Sequence, residues 1–259
     1  MLEISLWGIK IHVTTRRDLI SRILVILDQR SRPIQLTGVN PETIIKSRKD
    51  VELRAAIVGS DFVNIDGLLV VYGLRFLGIR VPERCACPDL FDELMRIANQ
   101  RQMKIYLLGT ELENIPMVAG QIKREYPDIK ICGYHHGYFS AAEEKSLVQE
   151  IVAARTDMLF VGMPTPQKET FIFRHREELN IPLSFGVGGV FDIKSGKTKR
   201  APAIFLRLGL ESLYRLCKSP RGVGGRVVKF YPAFLKLLLS TKMRAWREKD
   251  GHWTVKTIP

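Results

Sequence analysis

Residues 183–192 read LSFGVGGVFD, and this stretch decides the fold that the sequence predicts. The apolar run Leu183–Val187 is typical of a buried strand, and the glycines around its end predict a sharp turn. Glycines at such a point let main-chain N–H groups approach a phosphate, although a plain tight turn would need them as well. The stretch lacks the G-x-G-x-x-G spacing, so it supports a dinucleotide site only weakly.

The same alternation of strand and helix continues on both sides of this stretch. Short apolar runs such as Ile34–Leu36, Phe62–Ile65, Lys104–Leu108 and Met158–Val161 are separated by segments whose apolar residues recur at helical spacing. Repeated strand–helix units predict an α/β fold of the Rossmann-like kind, with a mostly parallel sheet flanked by helices. Ligands bind such sheets beyond the carboxyl ends of the strands.

An aspartate and two glycines directly follow three of these predicted strands. Asp66 comes after Phe62–Ile65, where its carboxylate could act as a general base at the ligand edge of the sheet. The alternative is an N-cap for a helix that begins after Gly67, and spacing alone does not choose between the two. Gly109 and Gly162 occupy corresponding positions after two other strands.

The chain divides near residue 196 by charge. Residues 196–259 hold 15 Lys and Arg against 3 Asp and Glu, a net charge of +12, whereas the whole chain carries +13. We therefore predict an α/β domain over residues 1–195 and a basic, helical C-terminal appendage over residues 196–259. Such asymmetry indicates an anionic partner, either nucleic acid or an anionic membrane.

The appendage intersperses basic residues with Phe and Leu, most densely over Arg226–Leu239. This pattern predicts an amphipathic interfacial helix, interrupted at Pro232; a helix packed on the body and an RNA-binding face are the alternatives. We favour the membrane over nucleic acid, because no RNA-binding module is recognisable. No apolar run is long enough to span a bilayer, and Met1–Val13 lacks the apolar core of a signal peptide, so we expect a surface-bound protein.

Metal and disulfide chemistry find little support in the sequence. The four cysteines, Cys85, Cys87, Cys132 and Cys217, follow no disulfide framework and suggest reduced, buried thiols. His135 and His136 are adjacent and would point to opposite sides of an extended chain, which favours a loop role over a shared metal. We therefore expect neither a metal nor another cofactor. Arg, Lys or helix N-termini would instead neutralise an anionic leaving group.

Together the motifs resemble the WecG/TagA/CpsF family, glycosyltransferase family 26, over about residues 37–226. The most specific part is GVGGVFD at residues 186–192. Gly196 and Arg200-Ala201-Pro202 continue this part. The other matching parts are Leu210-Glu211, Tyr214-Arg215-Leu216, Pro220-Arg221, Arg226, NIDG at residues 64–67, Arg84 with Asp89-Leu90, and GYF at residues 137–139.

The resemblance implies an inverting, metal-independent transferase that moves a sugar from a UDP-sugar to the sugar of a polyprenyl-diphosphate carrier in cell-surface polysaccharide biosynthesis. It implies a peripheral enzyme on the cytoplasmic face of the bacterial plasma membrane, with no nucleic acid partner; a homo-oligomer is left open. The alternatives are a non-catalytic RNA-binding α/β protein and a nicotinamide-dependent oxidoreductase, the latter disfavoured by the missing glycine fingerprint.

The resemblance also assigns roles to individual residues. Asp66 matches the general base. Residues assigned to the donor and its UDP are Gly109, Tyr138, Gly162, Gln167, Lys168, Gly188, Gly189 and Asp192. Residues assigned to the acceptor and its diphosphate are Thr37, Asn40, Arg84, Arg215, Arg221 and Arg226, of which the last three lie in an appendage that the family uses for membrane targeting and for completing the site.

The sequence departs from the family pattern at four places. Thr37-Gly-Val-Asn40 is one residue longer than Thr-x-Asn, and Lys168 stands where a pocket glutamine is usual. Cys87-Pro88 replaces Gly-Ser before Asp89, and Gly222 stands where a second arginine is common. These differences leave the identity of the donated sugar open.

Overall fold

The computed structural model describes residues 1–29, 32–198, 202, 205, 225–248 and 254–258. Its apolar runs form one six-stranded parallel sheet, in the order β4-β3-β8-β7-β5-β6, which confirms the predicted Rossmann-like α/β class. The strands are β3 (Ile34–Val39), β4 (Phe62–Ile65), β5 (Lys104–Gly109), β6 (Lys130–His135), β7 (Met158–Gly162) and β8 (Leu183–Gly186). Every residue of β3, β4 and β8 is buried, as expected for strands covered on both faces.

Helices connect these strands and cover the sheet. They are α1 (Arg16–Gln29), α2 (Pro41–Ser47), α3 (Val51–Gly59), α4 (Leu68–Phe76), α5 (Cys87–Gln100), α6 (Ile115–Glu125), α7 (Ala141–Ala153), α8 (Gln167–Leu179) and α9 (Val190–Lys194). The predicted start of α2 is confirmed: Thr43 N–H donates to Asn40 Oδ1 at 3.1 Å, and Pro41 occupies the first helical turn.

A second, antiparallel sheet joins the two ends of the chain, and the sequence did not predict it. Its order is β2-β1-β9, with β1 (Leu2–Leu6), β2 (Ile9–Val13) and β9 (Thr254–Thr257). Its β2 strand lies against β4, where Val63 N–H donates to His12 Nδ1 at 2.8 Å. This small sheet therefore supports the edge of the main sheet that carries Asp66.

The last described helix, α10 (Gly225–Glu248), packs against the body by one face. Phe234 and Leu238 are buried in the same apolar cluster as β1, β2 and α4, and the Trp7 indole N–H donates to Thr241 Oγ1 at 2.9 Å. The predicted interruption at Pro232 is wrong, because the helix runs through it. Packing of Phe230 and Phe234 on either side offsets the hydrogen bond that proline removes.

Candidate active site

The carboxyl edge of the main sheet opens into a cleft of about 970 Å³, as expected for a parallel α/β sheet. The turns after its strands form the walls, and the first two turns of α10 close one side. Of the residues assigned from the sequence, those that line the cleft are Asn40, Asp66, Arg84, Tyr138, Gly162, Gln167, Lys168, Gly188, Gly189, Asp192 and Arg226. Arg215 and Arg221 lie outside the described residues.

Asp66 lies in this cleft, immediately after β4, and is partly buried. Its Oδ1 accepts a hydrogen bond from the Cys87 main-chain N–H at 2.7 Å. The N-cap of α4 is Gly67 and has no side-chain capping bond, so the alternative role of Asp66 as a helix cap is wrong. One oxygen of the carboxylate is thus held from the start of α5, and the side chain faces a ligand-sized space.

Arg84 holds the main chain at the same point. Its Nε donates to the main-chain carbonyl oxygen of Asp66 at 2.5 Å, and its side chain also lines the cleft. The loop that carries Arg84 connects α4 to α5, so one segment supplies both this contact and the Cys87 N–H. The guanidinium therefore fixes the turn after β4 and contributes positive charge to this side of the cleft.

The glycine turn after β8 lies at the carboxyl edge of the sheet and borders the cleft. Gly188 adopts φ +56°, a left-handed conformation that favours glycine, and its N–H donates to Val161 O at 3.3 Å. Gly188 and Gly189 both line the cleft. The turn thus places main chain at the cleft with the Gly188 N–H bonded to Val161, and its binding of the donor diphosphate stays a prediction.

Lys168 forms the floor of the cleft beneath this turn. Its side chain is only 7% exposed, and its Nζ donates to Thr165 Oγ1 and to Glu169 Oε1. Glu169 is 1% exposed and does not line the cleft, so the carboxylate lies behind the ammonium. The pair is neutral overall, but its positive end faces the ligand space.

Three further assigned donor residues, Tyr138, Gln167 and Asp192, also line the cleft. Tyr138 is 70% exposed and projects beside β6, and Gln167 is exposed at the first position of α8. Asp192 Oδ1 accepts from Thr110 Oγ1 at 3.3 Å. An aromatic ring, an amide and a carboxylate in this arrangement can contact a base and a ribose.

Gly109 and Thr37 do not reach the cleft surface. Gly109 has φ +141°, and a Cβ there would lie 2.5 Å from the Gly162 carbonyl group, so packing between β5 and β7 explains this glycine. Thr37 is 1% exposed, and its Oγ1 lies 2.7 Å from Ser60 Oγ. Both residues support the strands rather than offering groups to a ligand.

Asn40 lines the cleft but also caps α2, so its Oδ1 is occupied by Thr43. Arg226, the one described arginine of the three assigned to the appendage, lines the cleft from α10. Its Nη1 lies 3.7 Å from Glu42 Oε2, and Lys46 Nζ lies 2.6 Å from Glu42 Oε1. This ion-pair cluster joins α10 to α2 beside the cleft.

His135 and His136 do not point to opposite sides, as the sequence suggested. His135 is the last residue of β6. Its ring lies close to that of His136, with the ring centroids 4.3 Å apart, and its Nδ1 lies 2.8 Å from His136 O. Among the described residues, no three His, Cys, Asp or Glu side chains come close enough together to hold a metal ion.

Several lining residues were missed from the sequence. Thr110 and Glu111 follow β5 directly, so the rule that pointed to Asp66 would also have found them. Glu42, Lys197, Phe230 and Tyr231 reach the cleft only through long-range packing, and no local signal indicates them. Gly38 and Cys87 were also overlooked as neighbours of Asp66.

Comparison with known proteins decides which class of protein carries this cleft. Residues 4–248 match the family described as "Glycosyl transferase WecG/TagA/CpsF family". The chain belongs to this family. It is similar to the N-acetylglucosaminyldiphosphoundecaprenol N-acetyl-beta-D-mannosaminyltransferase of Bacillus subtilis, with 37% identity over 195 residues and 75% of each chain covered.

Two further relatives carry the same name. The Bacillus spizizenii enzyme is 33% identical over 194 residues, covering 75% of this chain and 74% of the relative. The Staphylococcus aureus enzyme is 26% identical over 248 residues, covering 95% of this chain and 96% of the relative. The resemblance seen in the motifs is thus confirmed over nearly the whole chain.

This member of the WecG/TagA/CpsF family is a glycosyltransferase. The alternatives of a non-catalytic RNA-binding protein and a nicotinamide-dependent oxidoreductase are therefore wrong. Within the described ranges, no helix combines the length and the apolar character needed to cross a bilayer.

Proposed function

We propose that this enzyme transfers a sugar from a UDP-sugar to N-acetylglucosaminyl-diphosphoundecaprenol, with inversion and without a metal, in the synthesis of a cell-surface polysaccharide. The acceptor and the first sugar to test, N-acetylmannosamine, come from the names of the relatives, and the UDP carrier is the one that the family resemblance implies. The observation that carries the proposal is Asp66, a carboxylate at the carboxyl end of β4 with one oxygen held and the cleft in front of it.

The proposed reaction is a single displacement. The acceptor hydroxyl gives its proton to the Asp66 carboxylate while its oxygen forms a bond to the anomeric carbon of the donor. The bond between that carbon and the diphosphate oxygen breaks, and UDP leaves with the electron pair. Attack from the side opposite to the leaving group inverts the anomeric centre.

In this proposal, the glycine turn at Gly188 and Gly189 and the side chain of Lys168, which line the cleft, meet the charge on the departing UDP. Tyr138, Gln167 and Asp192 would hold its nucleoside. Arg84 and Arg226 lie towards the acceptor side, where a second diphosphate needs positive charge.

A transfer assay tests this proposal directly. The full chain is incubated with a set of labelled UDP-sugars and with N-acetylglucosaminyl-diphospholipid, in the presence of excess chelator. We expect one labelled disaccharide lipid, with UDP released in equal amount and the new linkage of inverted configuration. Retention of configuration, dependence on added metal, or transfer to water alone would contradict the proposal.

The second part of the proposal concerns α10, which presents an apolar stripe on the face turned away from the body. Its residues are 44% to 84% exposed: Val228, Leu235, Leu239, Met243 and Trp246. At 100° per residue these five positions fall within about 80° of arc. Exposed Lys229, Lys236, Lys242, Arg244 and Arg247 accompany them.

We assign this outer stripe to an anionic membrane surface. A helix with Leu, Met and Trp on one face and Lys and Arg beside them binds at the level of the lipid headgroups. Phe76 and Tyr72 of α4 extend the apolar surface, with Lys242 Nζ 5.5 Å from the Phe76 ring centroid. Since the first turns of α10 also border the cleft, docking would bring the cleft close to a lipid-linked acceptor.

Point variants test docking better than truncation does, because Phe234, Leu238 and β9 belong to the folded body. The triple variant Leu235→Gln, Leu239→Gln, Trp246→Gln should lose at least about tenfold in binding to phosphatidylglycerol vesicles. The matched control replaces three exposed apolar residues elsewhere: Leu112→Gln, Met117→Gln, Val152→Gln. Equal sedimentation of both triple variants with vesicles would contradict the assignment.

A further inference from the structure

The environment of the Asp66 carboxylate depends on a contact between two segments that are distant in sequence. The N–H group that holds Asp66 Oδ1 belongs to Cys87, the first residue of the 14-residue helix α5. This hydrogen bond, at 2.7 Å, exists only if the start of α5 lies at the right distance from the end of β4. The element that fixes this distance is the neighbouring strand, β3.

Gly38 of β3 is the spacer between these segments. It pairs with Asn64 in the parallel register and lines the cleft. A Cβ at residue 38 would lie 2.3 Å from Cys87 Sγ and 3.3 Å from Asp66 Cβ. A Cβ does not approach another atom so closely, so a side chain at residue 38 would force Cys87 out of its present position beside Asp66.

The Cys87 thiol fills the space that Gly38 leaves. It is buried and contacts Asn64 Nδ2 at 3.8 Å, while the same amide donates to Cys85 O at 2.6 Å. Burial raises the pKa of the Cys87 thiol well above its usual range, and the nearby Asp66 carboxylate raises it further, against a smaller opposing effect of Lys168. The thiol is therefore a neutral packing group rather than a nucleophile.

We propose that Gly38 and Cys87 are positioning residues for the reaction. Their contact sets the reach of the Cys87 N–H to Asp66 Oδ1, and so leaves the second carboxylate oxygen to take the acceptor's proton. The inference rests on the proposed function, since it needs Asp66 to be the base. Apart from Asp66 itself, the charged groups at this point are Arg84, through its bond to the Asp66 carbonyl, and Lys168.

The first test is Gly38→Ala in the full chain. A displacement of the order of 1 Å should lower kcat by about tenfold to 10²-fold while KM for both substrates changes little. Gly120→Ala on α6 is the matched control, since the nearest atom to its new Cβ is 4.0 Å away.

A second substitution distinguishes positioning from general damage. Removing the sulfur in Gly38→Ala/Cys87→Ala relieves the closest contact, so this double variant should be at least about fivefold faster than Gly38→Ala alone, with KM for both substrates still little changed. If Gly38→Ala fails to fold, Cys87→Val, whose branched side chain needs more room beside Gly38, should show the same loss of kcat with KM for both substrates little changed.

Two results would overturn the inference: an unchanged kcat in a folded Gly38→Ala or Cys87→Val variant, or a double variant no faster than the single one. These failures are distinct from failure of the proposed function. If Asp66→Asn abolishes turnover while Gly38→Ala is normal, only the positioning inference is wrong. If Asp66→Asn is fully active, the base assignment itself is wrong.

Discussion

The two walls of the cleft are built in different ways. The wall at the end of β4, called here the β4 wall, belongs to an edge strand of the main sheet and offers one carboxylate, Asp66. A residue 21 positions further along the chain holds this carboxylate by a hydrogen bond. The β8 wall belongs to a strand between two neighbours and offers main chain at Gly188 and Gly189 above the buried Lys168.

This difference suggests that the two walls have different roles in the reaction. A central strand is held by hydrogen bonds on both sides and can present fixed main chain, which suits a diphosphate that must be bound in one place. An edge strand leaves room for residues from other elements, which suits a single reactive group whose surroundings must be adjusted. Substitutions on the β8 wall should therefore affect stability or donor binding, whereas those around Asp66 should affect turnover.

The largest effect on stability is expected at the floor of the β8 wall. Replacing Lys168 with Met leaves Glu169 as an uncompensated buried charge, which should lower the free energy of unfolding by about 3–5 kcal/mol. Urea unfolding measures this, with Lys145→Met at an exposed site of α7 as the control. Adding Glu169→Gln to Lys168→Met should recover part of the loss; a cost below about 1 kcal/mol for Lys168→Met would show that the pair does not support this wall.

The support of the β4 wall should depend on pH. Burial lowers the pKa of His12 to about 4, and the neutral ring accepts the Val63 N–H at its Nδ1 while its Nε2 lies 3.2 Å from Glu3 Oε2. Because the unfolded histidine has the higher pKa, this stability is present above about pH 6.5 and is lost as the pH falls towards 4, by up to about 3 kcal/mol.

Thermal unfolding between pH 7 and pH 4 measures this loss. His12→Gln, which keeps an acceptor for Val63 but cannot gain a proton in this range, should give a flatter dependence of the unfolding temperature on pH. If the two proteins lose stability in parallel, His12 does not link pH to the edge of the sheet.

A smaller effect is expected for Asp192 at the start of α9. Asp192→Asn keeps the shape but removes a charge that can accept hydrogen bonds from the donor nucleoside, so KM for the donor should rise by about tenfold with kcat within about threefold. Asp128→Asn, on an exposed turn, is the matched control. A fall in kcat equal to that of an Asp66 variant would remove the distinction between the two walls.

The sequence predicts the β8 wall better than the β4 wall, for a physical reason. Strand, glycine turn and helix start follow one another within residues 183–192, so local periodicity is enough to place them. The same holds for the Asn40-Pro41 cap and for Asp66 at the end of its strand. Each of these features depends on residues close together in the chain.

The support of Asp66 depends on contacts that no local pattern specifies. Leu2 pairs with Thr257, and His12 reaches Val63 across 51 positions. Alternating apolar and polar residues in β1 and β2 (LEISL and IKIHV) could have indicated two strands, but not their partner. Likewise, the helix α10 runs through Pro232 because its inner face packs on Trp7 and Gly73, which the helix's own sequence does not reveal.

The most direct test of the central claim is the rate of sugar transfer by Asp66→Asn, measured in single turnover beside the affinity of the same protein for UDP. We expect the rate to fall by about 10²–10⁴-fold while the dissociation constant for UDP changes by less than about threefold, because the variant loses the base and keeps the β8 wall. A near-normal rate of transfer, or a loss of UDP binding that accounts for the slower rate, would contradict the assignment of Asp66 as the base.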